Sequence, residues 1–396
     1  MRLAVVGNPA NRRVTLFTEA VTRAGLPAPT IFPWRDVLTG GPVPGPGTTV
    51  RIDSPGEDSE VDVLLRAASS SDSPFSDGPF SAGPPASFPA NSSGGPVPSL
   101  PANSSAAPGS ALPSAALPGE IVGAAAAYAG LARALERVAA GGGRLLNPVG
   151  DILTMNDKRR CHALLAEAGI PVPPALPPVA SFAALRAALT TYGWGRVFVK
   201  PAHGSSASGV LALAVSGSRI MAMTSVEIGA EGRLHNNLRV RRYDDEATIA
   251  SIVDRLAPDG LHVERWFPKA GLGDRVLDLR VVVIAGEPSH IVARTSRTPL
   301  TNLHLGNARG EVAAVRAAAG STAWEEAMHT CVEVARCFPR SLHVGVDLMF
   351  RSGWRSHAVA EVNAFGDLLN GQDTYDSEVA ALLDGRYESW AGACVS

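Results

Sequence analysis

The chain has 396 residues, 45% of them hydrophobic, and its 35 basic residues against 37 acidic ones give a formal net charge of −2. A chain of this length can bury one large core or two to three smaller ones, whereas its near-neutral charge excludes the strong basic patch that nucleic-acid binding requires. No apolar run reaches the length of a membrane span, and the apolar stretch at residues 3–6 is too short for a secretory signal. We therefore expect a cytoplasmic protein without nucleic-acid or membrane partners.

Lysine is nearly missing from this sequence. Only Lys158, Lys200 and Lys269 occur, so 32 of the 35 basic residues are arginines. An ammonium group is a compact point charge and a guanidinium is a planar fork, so the two are not interchangeable. The three lysines therefore mark positions where a compact cation is needed.

The N-terminal part predicts a small Rossmann-like layer that is split by an insertion. A short apolar strand at residues 2–7 precedes a helical pattern at 14–23, and a strand at 49–52 runs into a turn and a further helix. The following stretch is dominated by Ser, Pro, Ala and Gly and repeats the unit Pro-Ala-Asn-Ser-Ser, which is typical of disordered sequence. We assign this part of the chain to an N-terminal layer at 1–68, a disordered insertion at 69–119, and a completion of the N-terminal domain at 120–146 that contains an Ala-rich helix.

Residues 147–390 predict a second module of mixed α/β type. A helix from about residue 156 and another at 181–191 precede a strand at 196–200, and strands dominate from there to about residue 297. A long helix at 321–338 then separates these strands from two final strands and a C-terminal helix.

One segment combines an apolar strand, a lysine and a loop of small residues. The strand ends at Lys200, and the loop that follows carries Gly204, Ser205 and Ser206 before a second apolar strand begins. Such loops let backbone N–H groups approach phosphate oxygens, and a lysine at the strand end supplies charge to the same phosphates. A plain β-hairpin with a flexible turn is the alternative, because the segment matches neither a Walker A nor a GxGxxG pattern.

Two acidic residues lie inside apolar strands near the C-terminus. Asp347 stands within the apolar run at 342–350, and Glu361 and Asn363 end a second strand on one face. A buried carboxylate needs a cation or a donor, and two acids with an amide oxygen form a hard-oxygen set that suits Mg2+. A buried arginine or backbone partner for each acid is the alternative.

The middle of the second module carries further charged strand residues. Glu264 lies in an apolar strand, where a surface salt bridge would explain it equally well. Asp278 and Arg280 share one face of a valine-rich strand, and Arg294 and one further arginine precede the polar loop at 301–307. Three arginines near one loop indicate recognition of phosphate or carboxylate, which guanidinium groups bind in bidentate fashion.

Taken in order, these segments resemble the ATP-grasp superfamily, most closely its ribosomal-protein glutamate ligases and glutathione synthetase-like carboxylate–amine ligases. The order is more specific than any single segment, and it covers more than half of the chain. The matching segments are Asn147-Pro148, Asn156-Asp157-Lys158, residues 168–173, the Lys200 strand, Asp278-Leu279-Arg280, residues 302–306, Asp347 and Glu361-Val362-Asn363. The resemblance implies an ATP-grasp fold with an N-terminal Rossmann-like pre-ATP-grasp domain and a lid subdomain at about 190–267.

The resemblance also implies a role for individual residues. The catalytic set would be Lys200, Arg280, Arg294 and Asn302. The residues that bind ATP, with the hinge strand on adenine among them, would be Lys158, Lys200, Gly204, Ser205, Ser206, Glu264, Arg265, Trp266, Phe267 and Lys269. The ligands of two Mg2+ ions, or of Mn2+, would be Asp347, Glu361 and Asn363.

The implied reaction is amide formation driven by ATP. A carboxylate attacks the γ-phosphate to give an acylphosphate and ADP, and an amine then displaces phosphate, the substrate being an amino acid or a peptide. Two alternatives stay open: an ATP-grasp kinase that stops after phosphorylating a small molecule, and a non-catalytic module that binds a nucleotide or a peptide. The sequence also leaves homo-oligomerisation open.

Overall fold

The structure is a computed structural model that describes residues 1–56, 58–68, 119–204, 207–365 and 373–395. The insertion predicted at 69–119 therefore lies outside the described residues except for its last residue. Ser205 and Ser206 lie outside them as well.

Four short strands form a parallel sheet at the N-terminal end, in the order β2-β1-β3-β4. Its elements are β1 (Arg2–Gly7), α1 (Arg12–Arg23), β2 (Thr30–Pro33), α2 (Trp34–Leu38), β3 (Thr48–Ile52), α3 (Ser59–Ala68), α4 (Ala124–Ala140) and β4 (Arg144–Leu145). Parallel strands need crossover connections, and helices supply them here. This is the layering that the alternating strands and helices predict.

α1 shows how the sequence sets the bounds of these elements. The Asn11 side chain accepts a hydrogen bond of 2.9 Å from the backbone N–H of Arg13 and so caps the helix. Val14, Phe17 and Val21 recur at helical spacing and are all buried. The predicted helix is confirmed, and the cap explains why it begins at residue 12 and not at residue 14.

A second sheet is antiparallel and has the order β8-β7-β6-β5-β9. The elements of this part are α5 (Val149–Asn156), α6 (Lys158–Glu167), α7 (Phe182–Tyr192), β5 (Arg196–Pro201), β6 (Leu211–Ser216), β7 (Arg219–Ile228), β8 (Leu234–Tyr243), α8 (Glu246–Leu256) and β9 (Leu261–Arg265). One face packs on α7 and α8 through residues such as Val197, Leu185 and Ile252. Side chains alternate along a strand, so Phe198 and Lys200 of β5 lie on the other face. We call this sheet the lid sheet.

The third sheet, called the large sheet here, has the order β13-β12-β11-β14-β15, with β10 paired to β11. Its elements are β10 (Gly271–Leu272), β11 (Arg275–Ile284), β12 (Glu287–Ser296), β13 (Ala308–Gly310), α9 (Val312–Ala319), α10 (Ser321–Arg336), β14 (His343–Phe350), β15 (His357–Asn363), α11 (Thr374–Leu383) and α12 (Arg386–Val395). Leu279 and Val281 of β11 belong to the same core as α10. On the opposite face, Val282 and Ile284 pack with the N-terminal layer, and the strand becomes charged at Arg280.

Several described helices depart from the prediction, since α2, α5 and α9 were not predicted. Strands dominate between residues 200 and 297, but α8 interrupts them, although Asp245 caps its N-terminus and Ile249, Ile252 and Val253 recur at helical spacing. The C-terminal end forms two helices, α11 and α12, where one was predicted. None of the described helices combines the length and the apolar composition that crossing a membrane requires.

Candidate functional site

A cavity of about 940 Å³ lies where the N-terminal layer, the lid sheet and the large sheet meet. Its wall includes strand ends of the large sheet, the loop after β5 and the loop after β3. The residues with predicted roles that line it are Gly204, Arg280, Arg294, Asn302, Glu361 and Asn363.

Strand register sets one arginine and two acids in a row across the large sheet. Arg280 of β11 lies opposite Asp347 of β14, and Asp347 lies opposite Glu361 of β15. Direct cross-strand partners share a face of the sheet. Arg280 Nε is 3.0 Å from Asp347 Oδ1. Arg280 and Glu361 of this row line the cavity, and Asp347 lies between them in ionic contact with Arg280.

Arg294 of β12 bridges two buried carboxylates. It lies opposite Asp278 in the register of β11 and β12, and its Nε donates to Asp278 Oδ1 at 2.7 Å. Its Nη2 lies 3.1 Å from Asp347 Oδ2. Burial alone would lower the pKa of Arg294, but the two carboxylates raise it above the ordinary value. The guanidinium thus stays charged and is held rigidly between its partners.

Lys269 belongs to the same ion network. Its Nζ lies 3.1 Å from Asp278 Oδ2 and donates to Thr301 Oγ1 at 2.7 Å. Burial lowers the pKa of Lys269, and Asp278 opposes this effect. The structure places Lys269 in the network and not among the residues that line the cavity.

Lys158 and Lys200 converge on β15 from two separate elements. Lys158, the first residue of α6, lies with Nζ 3.2 Å from Glu361 Oε1 and donates to the Gly204 carbonyl at 2.6 Å. Lys200, near the end of β5, donates to the Ala360 carbonyl at 3.4 Å. The two ammonium groups therefore lie beside consecutive residues of one strand.

Electrostatics distinguish the two acids of the row. Burial raises the pKa of Asp347, and its neighbouring acids add to this effect while the arginines beside it oppose it. Burial also acts on Glu361, but Lys158 and Lys200 lower its pKa below the ordinary value. Burial therefore outweighs the two arginines at Asp347, whereas the lysines outweigh burial at Glu361.

The segment predicted as the hinge, residues 264–267, makes several contacts with other parts of the protein. Glu264 is buried and its Oε1 lies 2.5 Å from Lys200 Nζ, so the surface salt bridge considered for it is wrong. The backbone N–H groups of Arg265 and Trp266 donate to carbonyls at 2.8 and 3.1 Å. The Trp266 ring packs on Phe198 with centroids 5.1 Å apart. Phe267, the last residue of the predicted hinge, is half-buried.

Two amide side chains near the cavity make local hydrogen bonds. Asn302 Oδ1 accepts from the His304 N–H at 2.9 Å and caps the turn that follows. Asn363 Nδ2 donates to the Gly345 carbonyl at 3.4 Å. Within the described ranges, no three His, Cys, Asp or Glu side chains gather closely enough to hold a metal ion.

Two contacts at the site were missed by the sequence analysis. The ring of His203, which lines the cavity, stacks on Tyr128 of α4 with centroids 4.0 Å apart. His262 Nε2 lies 3.3 Å from Glu264 Oε2. Period-two alternation could have placed His262 beside Glu264, whereas the Tyr128 stack joins elements that are distant in sequence.

The fold was compared with known proteins. Models of known families and curated proteins gave no match. Among solved structures, the D-cycloserine synthetase DcsG is 15% identical, with a TM-score of 0.52 over 97% of this chain and 100% of that chain. The macrocyclase MdnC bound with precursor peptide MdnA, from Microcystis aeruginosa MRC, is 11% identical, with a TM-score of 0.50 over 97% and 100%.

A third solved structure is the ATP-grasp ligase PsnB complexed with precursor peptide PsnA2 and AMPPNP. It is 15% identical, with a TM-score of 0.47 and coverage of 98% of each chain. The order of the charged segments along the sequence and the arrangement of the three sheets both agree with the ATP-grasp fold. The chain has the ATP-grasp fold.

Proposed function

We propose that this protein is an ATP-dependent carboxylate–amine ligase that forms an amide through an acylphosphate and releases ADP and phosphate. The observation that carries the proposal is the convergence of Lys158 and Lys200 on β15, next to the row of Arg280, Asp347 and Glu361. Cations held in fixed positions suit phosphoryl transfer, in which positioning and charge neutralisation do most of the catalysis. The likeness to a synthetase and a macrocyclase supports ligation as the outcome.

ATP would lie between the lid sheet and the large sheet. Lys158 and Lys200 would bind its phosphates, and the loop at Gly204 would close over them together with Ser205 and Ser206. Gly204 has φ of +112°, a backbone conformation that other residues rarely adopt, so a side chain there would strain the loop. Adenine would contact the segment at 264–267, with Lys269 shortly after it.

Asp347, Glu361 and Asn363 fit a magnesium site. Register places Asp347 opposite Glu361, and Asn363 lies two residues further along β15. Carboxylate and amide oxygens are hard ligands of the kind that Mg2+ takes together with water and phosphate oxygens. The raised pKa of Asp347 indicates a carboxylate that a cation would stabilise. Bound Mg2+, as two ions or replaced by Mn2+, would supply neutralisation of the phosphate charge.

The chain's own residues would then guide the two steps. A carboxylate oxygen of the substrate attacks the γ-phosphorus while the bond to the ADP oxygen breaks. Arg280, Arg294 and Asn302 line the cavity and would hold the transferred phosphoryl group and the substrate carboxylate. The amine then attacks the acyl carbon, the bond to phosphate breaks, and the amine proton leaves to solvent. Closure of the lid would exclude water that hydrolyses the acylphosphate.

The substrate is proposed to be an amino acid or a peptide. Purified protein with Mg·ATP is screened for ADP release over amino acids and short peptides, with and without an added amine. We expect ADP release that depends on the amine, and a hydroxamate when hydroxylamine replaces it. Full ADP release without an amine, with a product stable to hydroxylamine, would identify a kinase and end the ligase proposal.

Two substitutions test the site itself. Lys200→Met and Glu361→Gln should each lower ATP turnover by at least ~100-fold, because each removes a charge aimed at the phosphates or the metal. The matched control is Glu325→Gln, which changes an exposed acid on α10 and should leave turnover unchanged. Circular dichroism checks that the folds match. Turnover near the wild-type rate in either site variant would remove the site assignment.

A further inference from the structure

We propose that His262 is a positioning residue for Lys200, which it controls through Glu264. The inference rests on the proposed function, because Lys200 is taken here as a ligand of the ATP phosphates. His262 itself would touch neither nucleotide nor substrate. It would orient the Glu264 carboxylate, which in turn orients the Lys200 ammonium.

The three side chains share one face of the lid sheet. Lys200 of β5 is the direct cross-strand partner of His262 in β9, and Glu264 follows two residues later on the same face. Glu264 Oε1 lies 2.5 Å from Lys200 Nζ, and Glu264 Oε2 lies 3.3 Å from His262 Nε2. Each carboxylate oxygen therefore has its own partner, and together the partners fix the rotation of the group.

All three side chains that make these contacts are buried. His262, Glu264 and Lys200 are 5%, 4% and 8% exposed. A buried acceptor that loses its donor costs about 1–3 kcal/mol, so the carboxylate cannot exchange His262 for water at low cost. The geometry of the trio is thus set by the protein and not by solvent.

The protonation states agree with this arrangement. Burial alone would raise the pKa of Glu264, but Lys200 and His262 lower it to about 2, so the carboxylate only accepts hydrogen bonds at neutral pH. Burial lowers the pKa of His262, which is therefore neutral. A neutral imidazole can satisfy Glu264 Oε2 only with its proton on Nε2. The contact thus selects one tautomer of His262.

His262 is in turn held from α6. The ring of His162 lies against it with centroids 4.9 Å apart, and His162 Nε2 donates to the Pro173 carbonyl at 2.7 Å. Both histidines line a small cavity of about 20 Å³, which has room for about one water molecule. Glu264, Lys200 and His162 act electrostatically on His262, and the other titratable groups that line the same small cavity are Lys158, Cys161 and Glu361.

Loss of the His262 donor has a defined consequence. Glu264 would turn its second oxygen toward Lys200, the cation that it already contacts, and would draw the ammonium away from the phosphates. If His262 served only packing, its replacement would change stability but would affect binding of a ligand with phosphates and of a ligand without them equally. The difference between these two ligands is the readout.

The experiment measures binding of Mg·ADP and of adenosine to the full chain by calorimetry. His262→Leu should weaken Mg·ADP binding by about 10-fold, the loss expected for one hydrogen bond to a charged group, and should change adenosine binding by less than about twofold. His262→Gln, whose amide can donate to Glu264, should recover most of the affinity. Lys200→Met gives the effect of losing the ammonium altogether.

His357→Leu is the matched control. His357 is a half-buried histidine that hydrogen-bonds Thr330 Oγ1 at 2.7 Å and does not line the large cavity, so its loss should leave Mg·ADP binding unchanged. If His262→Leu does not fold, His262→Asn, whose shorter amide falls short of Glu264, is compared with His262→Gln instead.

Two results would overturn the inference while leaving the proposed function intact. One is that His262→Leu binds Mg·ADP with unchanged affinity although Lys200→Met binds it more weakly. The other is an equal loss for adenosine and Mg·ADP. If the wild-type protein binds neither ligand, the proposed function fails and the inference falls with it.

Discussion

Two buried arginine–carboxylate networks differ in what surrounds them. One joins Arg294 to Asp278 and Asp347 in the large sheet, and its guanidinium lines the cavity. The other joins Arg51 of β3 to Glu378 of α11 and is closed off completely, since neither side chain has any exposed surface. We refer to them as the cavity network and the junction network.

The junction network consists of buried contacts within the fold. Arg51 Nε lies 2.8 Å from Glu378 Oε2, and Nη1 lies 3.1 Å from Asp53 Oδ2. The guanidinium also lies over the rings of Phe17 and Tyr375, at 4.9 and 5.1 Å from their centroids. The cation is thus enclosed by groups from the N-terminal layer and from α11, which it joins.

The carboxylates of the two networks respond to burial differently. Burial acts on Glu378, but Arg51 lowers its pKa below the ordinary value. The pKa of Asp347 stays raised although Arg280 and Arg294 lie beside it. In the junction network the cation therefore outweighs burial at the carboxylate, whereas in the cavity network burial outweighs the two arginines at Asp347. This contrast fits one network that serves stability and one that serves ligand binding.

The largest expected effect comes from breaking the junction network. Arg51→Met leaves Glu378 and Asp53 buried without their cation and should lower the free energy of unfolding by about 3–5 kcal/mol. Urea unfolding followed by circular dichroism measures the loss. A loss below about 1 kcal/mol would mean that the junction relaxes to admit water, and the contrast with the cavity network would then disappear.

The pH dependence of this loss sharpens the test. Because the folded-state pKa of Glu378 is lowered, its ion pair stabilises the protein in full above the unfolded value of about 4.3, and this stabilisation is lost as the pH falls from there through the folded-state pKa. The difference in free energy of unfolding between wild type and Arg51→Met should therefore be smaller at about pH 3 than at pH 7. An equal gap at both pH values would show that Arg51 contributes packing and not charge.

A smaller effect on stability is expected in the cavity network. Asp347→Asn removes a carboxylate whose charged form is disfavoured by burial, and Arg294 keeps its ion pair with Asp278, so the free energy of unfolding should change by less than about 1 kcal/mol. ATP turnover should nevertheless fall by at least ~100-fold if Asp347 holds the metal. Unfolding and turnover are measured on the same preparation. A loss of stability as large as that of Arg51→Met would place Asp347 among the structural acids.

Much of this arrangement could be predicted from local pattern. Period-two alternation put Glu361 and Asn363 on one face, and the scarcity of lysine singled out Lys158 and Lys200, which the structure brings to consecutive residues of β15. The mixed α/β fold followed from the order of the segments. The signals for these features lie within a few residues of each other or in composition, where a single sequence can show them.

The remaining contacts depend on register and on distant pairing. Glu264 meets Lys200 only because of the alignment of β9 on β5, which no local pattern specifies. Arg51 and Glu378 are 327 residues apart in sequence, and nothing near either residue indicates the other. Arg51 is buried in the junction network, whereas Ser54, Pro55 and Gly56 shortly after it line the large cavity.

The smallest expected effect comes from an exposed arginine–carboxylate pair between the same N-terminal layer and α11. Arg23 of α1 forms two hydrogen bonds to Asp376, at 3.0 and 2.7 Å, but the two side chains are 54% and 37% exposed. Water and salt screen such a pair, and its formation costs side-chain entropy, so good geometry alone adds little stability. Asp376→Asn should leave the melting temperature unchanged at physiological salt and lower it slightly at low salt. A salt-independent loss comparable to that of Arg51→Met would show that the geometry of a charged pair, and not its burial, determines how strongly α11 is held.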